Sequence, residues 1–223
     1  MRRFSILGIS LSDLSAREGL KLTDRFMHSG ALNTVTYLTS QTLAQAAKNE
    51  RMKELLEKTD LTLCVEPDIL EAAGIASAGR IREIEERIFL KEFLKRLARQ
   101  QESIYIVGDT RKQADALKDM LTQQQDRLKI IGCSGFDEFE NQKERLMNVL
   151  NEAAPGVIFS RMTWPVDLEL MHEGRRFLNA ELWLALPEKK FPGMTGKHVF
   201  DKIRRKIFQK KVNDYNEEKA VQK

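Results

Sequence analysis

The sequence predicts a layered α/β domain, a mostly parallel Rossmann-like sheet with helices on both faces, and three observations carry that prediction. Short runs rich in β-branched and aromatic residues alternate with longer segments of helical period along the first 186 residues. The intervening segments are long enough for the crossovers that parallel strands require. Glycine and proline are scarce, 12 and 5 of 223 residues, which disfavours an all-β chain built on tight turns.

In chain order the predicted strands are FSILGI from Phe4, NTVTYL from Asn33, LTLCV from Leu61, SIYIVG from Ser103, LKIIGC from Leu128, GVIFSR from Gly156 and AELWLAL from Ala180. Between the first two, Ser15 and Glu18 have capping-box spacing ahead of Leu20, Leu22, Phe26 and Met27, and Gly30 follows as a stop signal. Further helices are expected over about Ser40 to Lys58, Ile84 to Arg99, Lys112 to Gln123 and Asp137 to Glu152, each with apolar residues three and four apart. The segment EKKFPGMTG gathers Pro192, Gly193 and Gly196 and reads as a linker, dividing the chain into a domain over 1–188 and an appendage over 189–223. The last residues, from Val212, have little apolar content and are expected to fray.

Composition excludes several classes. Apolar residues at 42% and charged residues at 31% are ordinary for globular proteins, so collagen-like and wholly disordered chains are out. No run approaches the ~20 apolar residues of a membrane span, and the apolar stretch behind Arg2 and Arg3 is too short for a signal peptide, so a cytoplasmic location is expected. Cys64 and Cys133 each sit within an apolar run, where a reduced, buried thiol is the expectation. The three histidines are scattered and no metal-ligand spacing occurs, so neither metal nor cofactor is expected.

The net charge of +4 is unevenly placed. Lys197 to Lys211 holds seven Lys or Arg against one Asp, a local +6 that leaves the rest of the chain at −2. Within it, Lys202, Arg204, Arg205, Lys206, Lys210 and Lys211 share a helix-length segment with Val199, Phe200, Ile203, Ile207 and Phe208 at helical intervals. A cationic face beside an apolar stripe suits an anionic membrane surface, the preferred reading. The same stripe also suits packing on the protein's own core with its charges in solvent, and a basic helix can meet nucleic acid, though no nucleic-acid partner is expected.

In open α/β sheets ligands gather beyond the carboxyl ends of the strands. There, Gly108 and Asp109 lead into a helix whose N-terminus offers backbone N–H groups to a phosphate; the alternative is ordinary strand-to-helix punctuation. Gly132 and Gly135 flank Cys133 and Ser134 with Phe136 beside them, either a nucleotide loop with an aromatic wall or a plain turn with Phe136 in the core. Glu66 and Asp68 flank Pro67 after LTLCV, as a general base or as acids at a helix N-terminus.

Taken in order, ILGISLSDLSAREGL, VTYLTSQTLAQAAKNERMKELLEKTDLTLCV, EERIFLKEFLKRL, IYIVGDTRKQADAL, LKIIGCSGFDEF and LNEAAPGVIF resemble the WecG/TagA/CpsF glycosyltransferase family from about Ile6 to Leu186. The resemblance implies an inverting, metal-independent transferase that moves an N-acetylhexosamine from a UDP-sugar to a lipid-linked sugar acceptor at the cytoplasmic membrane face. It also implies a C-terminal appendage that meets the bilayer. Thr36 matches the family's Thr-x-Asn and is placed near the acceptor, while Leu38 stands at the Asn position. The family's Asp-Gly after the third strand is Val65-Glu66 here, which passes the role of base to Glu66 or Asp68. Its Pro-Lys-Gln-Glu is replaced by WPVDLE, with Asp167 where a glutamine helps hold UDP. Two functions follow: a divergent UDP-N-acetylhexosaminyltransferase of cell-surface glycopolymer synthesis, or a catalytically lapsed homologue that binds an active glycosyltransferase. The oligomeric state stays open between monomer and homo-oligomer.

Overall fold

The computed structural model describes the backbone of residues 2–187 and 198–221, and the side chains of 2–187 and 205–220. The predicted first strand is instead an antiparallel hairpin, β1 (Arg3–Ile6) and β2 (Ile9–Ser12), outside the main sheet. Leu7 and Gly8 form its two-residue turn with φ of 52° and 72°, and the Gly at the second position lowers the cost of that left-handed pair. The other six predicted runs all become strands of one parallel sheet: β3 (Asn33–Leu38), β4 (Leu61–Cys64), β5 (Ser103–Gly108), β6 (Lys129–Gly135), β7 (Val157–Arg161) and β8 (Leu182–Ala185). Their order is β4-β3-β8-β7-β5-β6.

The strands are apolar on both sides because helices cover both. On one face Tyr37, Ile106 and Phe159 pack against α1 (Ala16–Phe26), α6 (Ile88–Gln100) and α7 (Arg111–Gln124). On the other, Leu38, Val107 and Ile158 meet α2 (Ser40–Ala46), α3 (Glu50–Glu57), α4 (Pro67–Ala72), α8 (Lys143–Ala153), α9 (Val166–Gly174) and the hairpin. The hairpin also closes the outer edge of β4. The Ser12 N–H donates to Thr62 Oγ1 (2.9 Å) and the Thr62 N–H to Ser12 Oγ (3.3 Å), so that edge is not left open for pairing.

The capping box at Ser15 and Glu18 forms as predicted and starts α1. Three predicted helices are broken by particular residues. Asn49 turns its side-chain oxygen to the Met52 N–H and starts α3 afresh, splitting Ser40–Lys58. Arg87, at φ 54°, separates α5 (Ala78–Glu85) from α6. Glu140 and Asn141, both at positive φ, divide a short 3-10 turn (Phe136–Phe139) from α8. Helix α9 follows Pro165 and has no counterpart among the predicted helices.

The appendage is a helix, α10 (His198–Val221), and it does not fray at Val212. Phe208 and Val212 are buried, and Tyr215 lies over the hairpin turn, where a Cβ on Gly8 would come within 2.2 Å of its hydroxyl oxygen. Phe208 within the basic run, and Val212 and Tyr215 past it, thus carry apolar contacts that hold the helix on the domain, beside α2 and α4. The linker and the side chains of Val199, Phe200, Lys202, Ile203 and Arg204 lie outside the described residues.

Candidate functional site

Helices α2 and α7 leave β3 and β5 on opposite faces of the sheet, so the crossovers change side along the carboxyl edge, where open α/β sheets take their ligands. The two ends of that edge differ. Beyond β5, β6 and β7 the loops are tied to one another. The Asp109 carboxylate accepts from the Thr163 N–H and hydroxyl (2.6 Å to the hydroxyl), joining the loop after β5 to that after β7. The Asp137 N–H donates to the Asp109 carbonyl (3.0 Å), while the Asp137 carboxylate accepts from the Arg111 N–H (3.2 Å). With Thr110 capping the Gln113 N–H, the start of α7 already holds acceptors from the protein where a phosphate was expected.

The glycines in this half have packing reasons. A Cβ on Gly108 would lie 2.5 Å from the Ala114 nitrogen, and one on Gly135 2.1 Å from the Arg111 nitrogen. On Gly132 it would lie 2.1 Å from the Tyr105 ring, whose hydroxyl is 2.7 Å from Ser134 Oγ. Phe136 is a core residue, so the plain-turn reading describes its position. Asp167 is 4% exposed and accepts from the Ser160 hydroxyl (2.5 Å) and the Met162 N–H (3.3 Å). Burial pushes its carboxyl up to about 7, against the pull of those donors. It anchors α9 beneath the strand ends, with Trp183 Nε1 donating to the same Ser160 oxygen (2.8 Å).

Beyond β4 and β3 the edge is open. A small, solvent-connected cleft of ≈ 50 Å³ runs between the end of β4, the start of α1 and the α5–α6 junction, lined by Tyr37, Cys64, Val65, Arg80, Glu83 and Arg87 among others. Tyr37 meets Phe89 edge-on at 6.3 Å and forms the aromatic wall. Arg80 donates to Asp13 (2.8 Å), and Glu83 accepts from the Ala16 N–H (3.0 Å). Burial lowers the pKa of Arg87, though such a group stays charged at any physiological pH. Sequence reasoning missed Arg80 and Glu83, and it singled out Arg87's segment EERIFLKEFLKRL only through the family resemblance, because only folding brings α5 and the α6 junction beside the strand ends. Burial pushes the Cys64 thiol up to about 12 and that of Cys133 up to about 11, so both are unreactive at neutral pH.

The predicted carboxylates lie on the far side of this edge. Val65 belongs to the same apolar cluster as Tyr37 and lines the cleft. Glu66, the next residue, is 3% exposed, and its Oε2 accepts from the Ser40 N–H (2.8 Å) at the start of α2. In extended chain a one-residue step reverses the face, which is why Glu66 points away from where Val65 points. Asp68 follows in the first turn of α4, and Thr36, buried on β3, alternates with Val35 and Tyr37 to the α2 face. Thr36 and Glu66 therefore share one face of the sheet, and the cleft arginines the other.

The sequence model of the Glycosyl transferase WecG/TagA/CpsF family matches residues 4–187, the hairpin and the whole sheet. The chain belongs to the WecG/TagA/CpsF glycosyltransferase family. No curated protein matches it. Membership carries a role as a glycosyltransferase of cell-surface polymer synthesis, binding a nucleotide-sugar donor and an acceptor. Among the described residues no group of three or more His, Cys, Asp or Glu is placed to hold a metal, and no helix is long and apolar enough to cross a membrane.

Proposed function

We propose that this chain is a divergent UDP-N-acetylhexosaminyltransferase that acts on a lipid-linked acceptor at the inner face of the cell membrane. The observation that carries the reading is the cleft beyond β4 and β3, where Tyr37 offers an aromatic wall and Arg80 and Arg87 offer cationic donors. A guanidinium makes charge-assisted, bidentate hydrogen bonds to phosphate oxygens, which suits a nucleoside diphosphate. Glu66 or Asp68 would act as base across the strand ends, with Thr36 near the acceptor. Arg205 is held by Glu71 of α4, and the exposed Lys206, Lys210 and Lys211 on α10 would rest on an anionic leaflet, together with the exposed Ile207.

Titration calorimetry with UDP and with UDP-N-acetylhexosamines tests this, each with and without a divalent cation. Binding without metal is expected, and Arg87→Ala should weaken it about tenfold or more. No binding under any condition would remove the donor from the cleft. One observation favours a second reading, a lapsed homologue that serves as partner of an active glycosyltransferase. The cleft-facing residue is Val65, and the neighbouring carboxylate of Glu66 is turned to Ser40. Donor binding with no turnover on any lipid-linked acceptor would favour that reading.

A further inference from the structure

We propose that Arg161 is a specificity-determining residue of the donor site, where its guanidinium takes the outer phosphate of a nucleoside diphosphate that overhangs the cleft; this rests on the transferase reading above. The cleft admits only ≈ 50 Å³, whereas sites that enclose a small ligand run from roughly 300 Å³ upward. A donor seated there therefore extends past it. The hairpin closes the β4 side, which leaves the direction across β3 and β8 toward β7.

The strand register places Arg161 on that path. Ala185, the last residue of β8, pairs with Thr36 of β3 on one side and with Ser160 of β7 on the other. The residues that follow these three, Tyr37, Leu186 and Arg161, form a row at the carboxyl edge. Tyr37 and Leu186 belong to one apolar cluster, and the Arg161 guanidinium meets Met120 of α7, which packs against that same cluster. On β5 the row continues as Gly108, which adds no side chain. Two strand spacings, about 10 Å, separate Tyr37 from Arg161. An extended nucleoside diphosphate spans that gap with its base on Tyr37, and only its outer phosphate reaches the far end.

Arg161 is also a cation that this edge leaves uncompensated. Its Nε is buried with no partner, and its one hydrogen bond among the described residues runs from Nη2 to the Met120 sulfur (3.1 Å). A thioether is a weak acceptor. The acids along the edge are spent elsewhere, Asp109 on Thr163 and Asp167 on Ser160 at the opposite face. Burial alone moves the Arg161 pKa, downward, and no carboxylate stands close enough to oppose it. A phosphate would replace the sulfur with charge-assisted, bidentate acceptors. The site should therefore prefer a diphosphate to a monophosphate.

Calorimetric titration of the full chain with UDP and with UMP tests this. The parent should bind UDP more tightly than UMP, and Arg161→Met should lower UDP affinity about tenfold or more while UMP stays within about twofold. Arg161→Gln, polar but uncharged, should do the same and carries the test should the methionine variant fail to fold. An unchanged UDP-to-UMP ratio in the variants overturns the assignment. An equal fall for both nucleotides also overturns it, because it would mean that Arg161 supports the fold and touches no phosphate. A parent that binds neither nucleotide sinks the donor reading and this assignment with it, whereas binding with an unchanged ratio sinks only the assignment.

Discussion

Beyond β5, β6 and β7 each loop is fastened by its neighbours' side chains, whereas beyond β4 and β3 the chain stands back around a cleft lined by arginines. Both halves belong to one sheet edge, and both begin from a strand that runs into a helix. The difference lies in where the carboxylates go. In the closed half Asp109, Asp137 and Asp167 are spent on backbone N–H groups and hydroxyls of the same edge. In the open half Asp13 engages Arg80 and Glu83 engages the start of α1, so the carboxylates there do not tie one strand-end loop to the next. A helix N-terminus thus says little about phosphate binding until the protein's own acceptors have been assigned.

The largest expected effect is at Gly135. A Cβ there would lie 2.1 Å from the Arg111 nitrogen and 2.4 Å from the Thr110 carbonyl carbon, both backbone atoms that cannot swing aside. Gly135→Ala should cost about 5 kcal/mol, enough to unfold a marginal domain. Urea unfolding measures it, and a variant within about 1 kcal/mol of the parent would mean that the closed half is looser than its contacts imply.

The next effect is a pH dependence from Asp167. Its carboxyl ionises near 3.8 in a solvated chain and near 7 in the fold, so the folded protein holds an extra proton between those values. Stability from this group is full below the lower value, falls as pH rises through the window and levels off above the upper one, by roughly 4 kcal/mol in all. Asp167→Asn should flatten that decline. Urea midpoints from pH 4 to 8 check it, and parallel curves for the two proteins would place the titration elsewhere.

Phe208→Ala comes third. The side chain is 3% exposed where α10 meets α2 and α4, and truncation should cost about 3 kcal/mol. The same argument changes what removal of the appendage should do. The linker signal at Pro192, Gly193 and Gly196 predicts that a chain ending near Gly193 stays folded and soluble. Phe208, Val212 and Tyr215 all pack on the domain, so that truncation is now expected to lower the thermal midpoint.

The sequence made the fold legible because buried parallel strands are written as apolar runs, and all six sheet strands were read from such runs. What it hid were the breaks. Arg87, Glu140 and Asn141 take positive φ without a glycine to announce it, and Leu7 does so beside one. The site was half legible. Strand ends direct attention to the edge on which the cleft lies. Which way each side chain turns was not written, since Phe136 and Asp167 turn into the interior and Glu66 turns from the cleft. Arg80 reaches the site from α5 and Arg87 from the α5–α6 junction, and although Arg87 stands in EERIFLKEFLKRL, nothing local marks that it turns to the cleft.

The smallest stability effect is at Glu66, and it separates the two functional readings. A glutamine still offers an oxygen to the Ser40 N–H, so Glu66→Gln should change stability by less than about 1 kcal/mol. If Glu66 or Asp68 is the base, Glu66→Gln with Asp68→Asn should abolish turnover while UDP binding persists. Turnover unchanged in that double variant would remove both from the chemistry. The converse substitution probes the cleft directly. Val65 already faces Tyr37's side of the edge, so Val65→Asp would put a carboxylate among the cleft's donors at the position where the family carries its acid. Catalysis depends on such placement to within about an ångström, which a step of one residue along the strand forfeits. A gain of transferase activity in Val65→Asp, from a parent that binds donor without turning it over, would identify this chain as a family member that kept its cleft and lost its base.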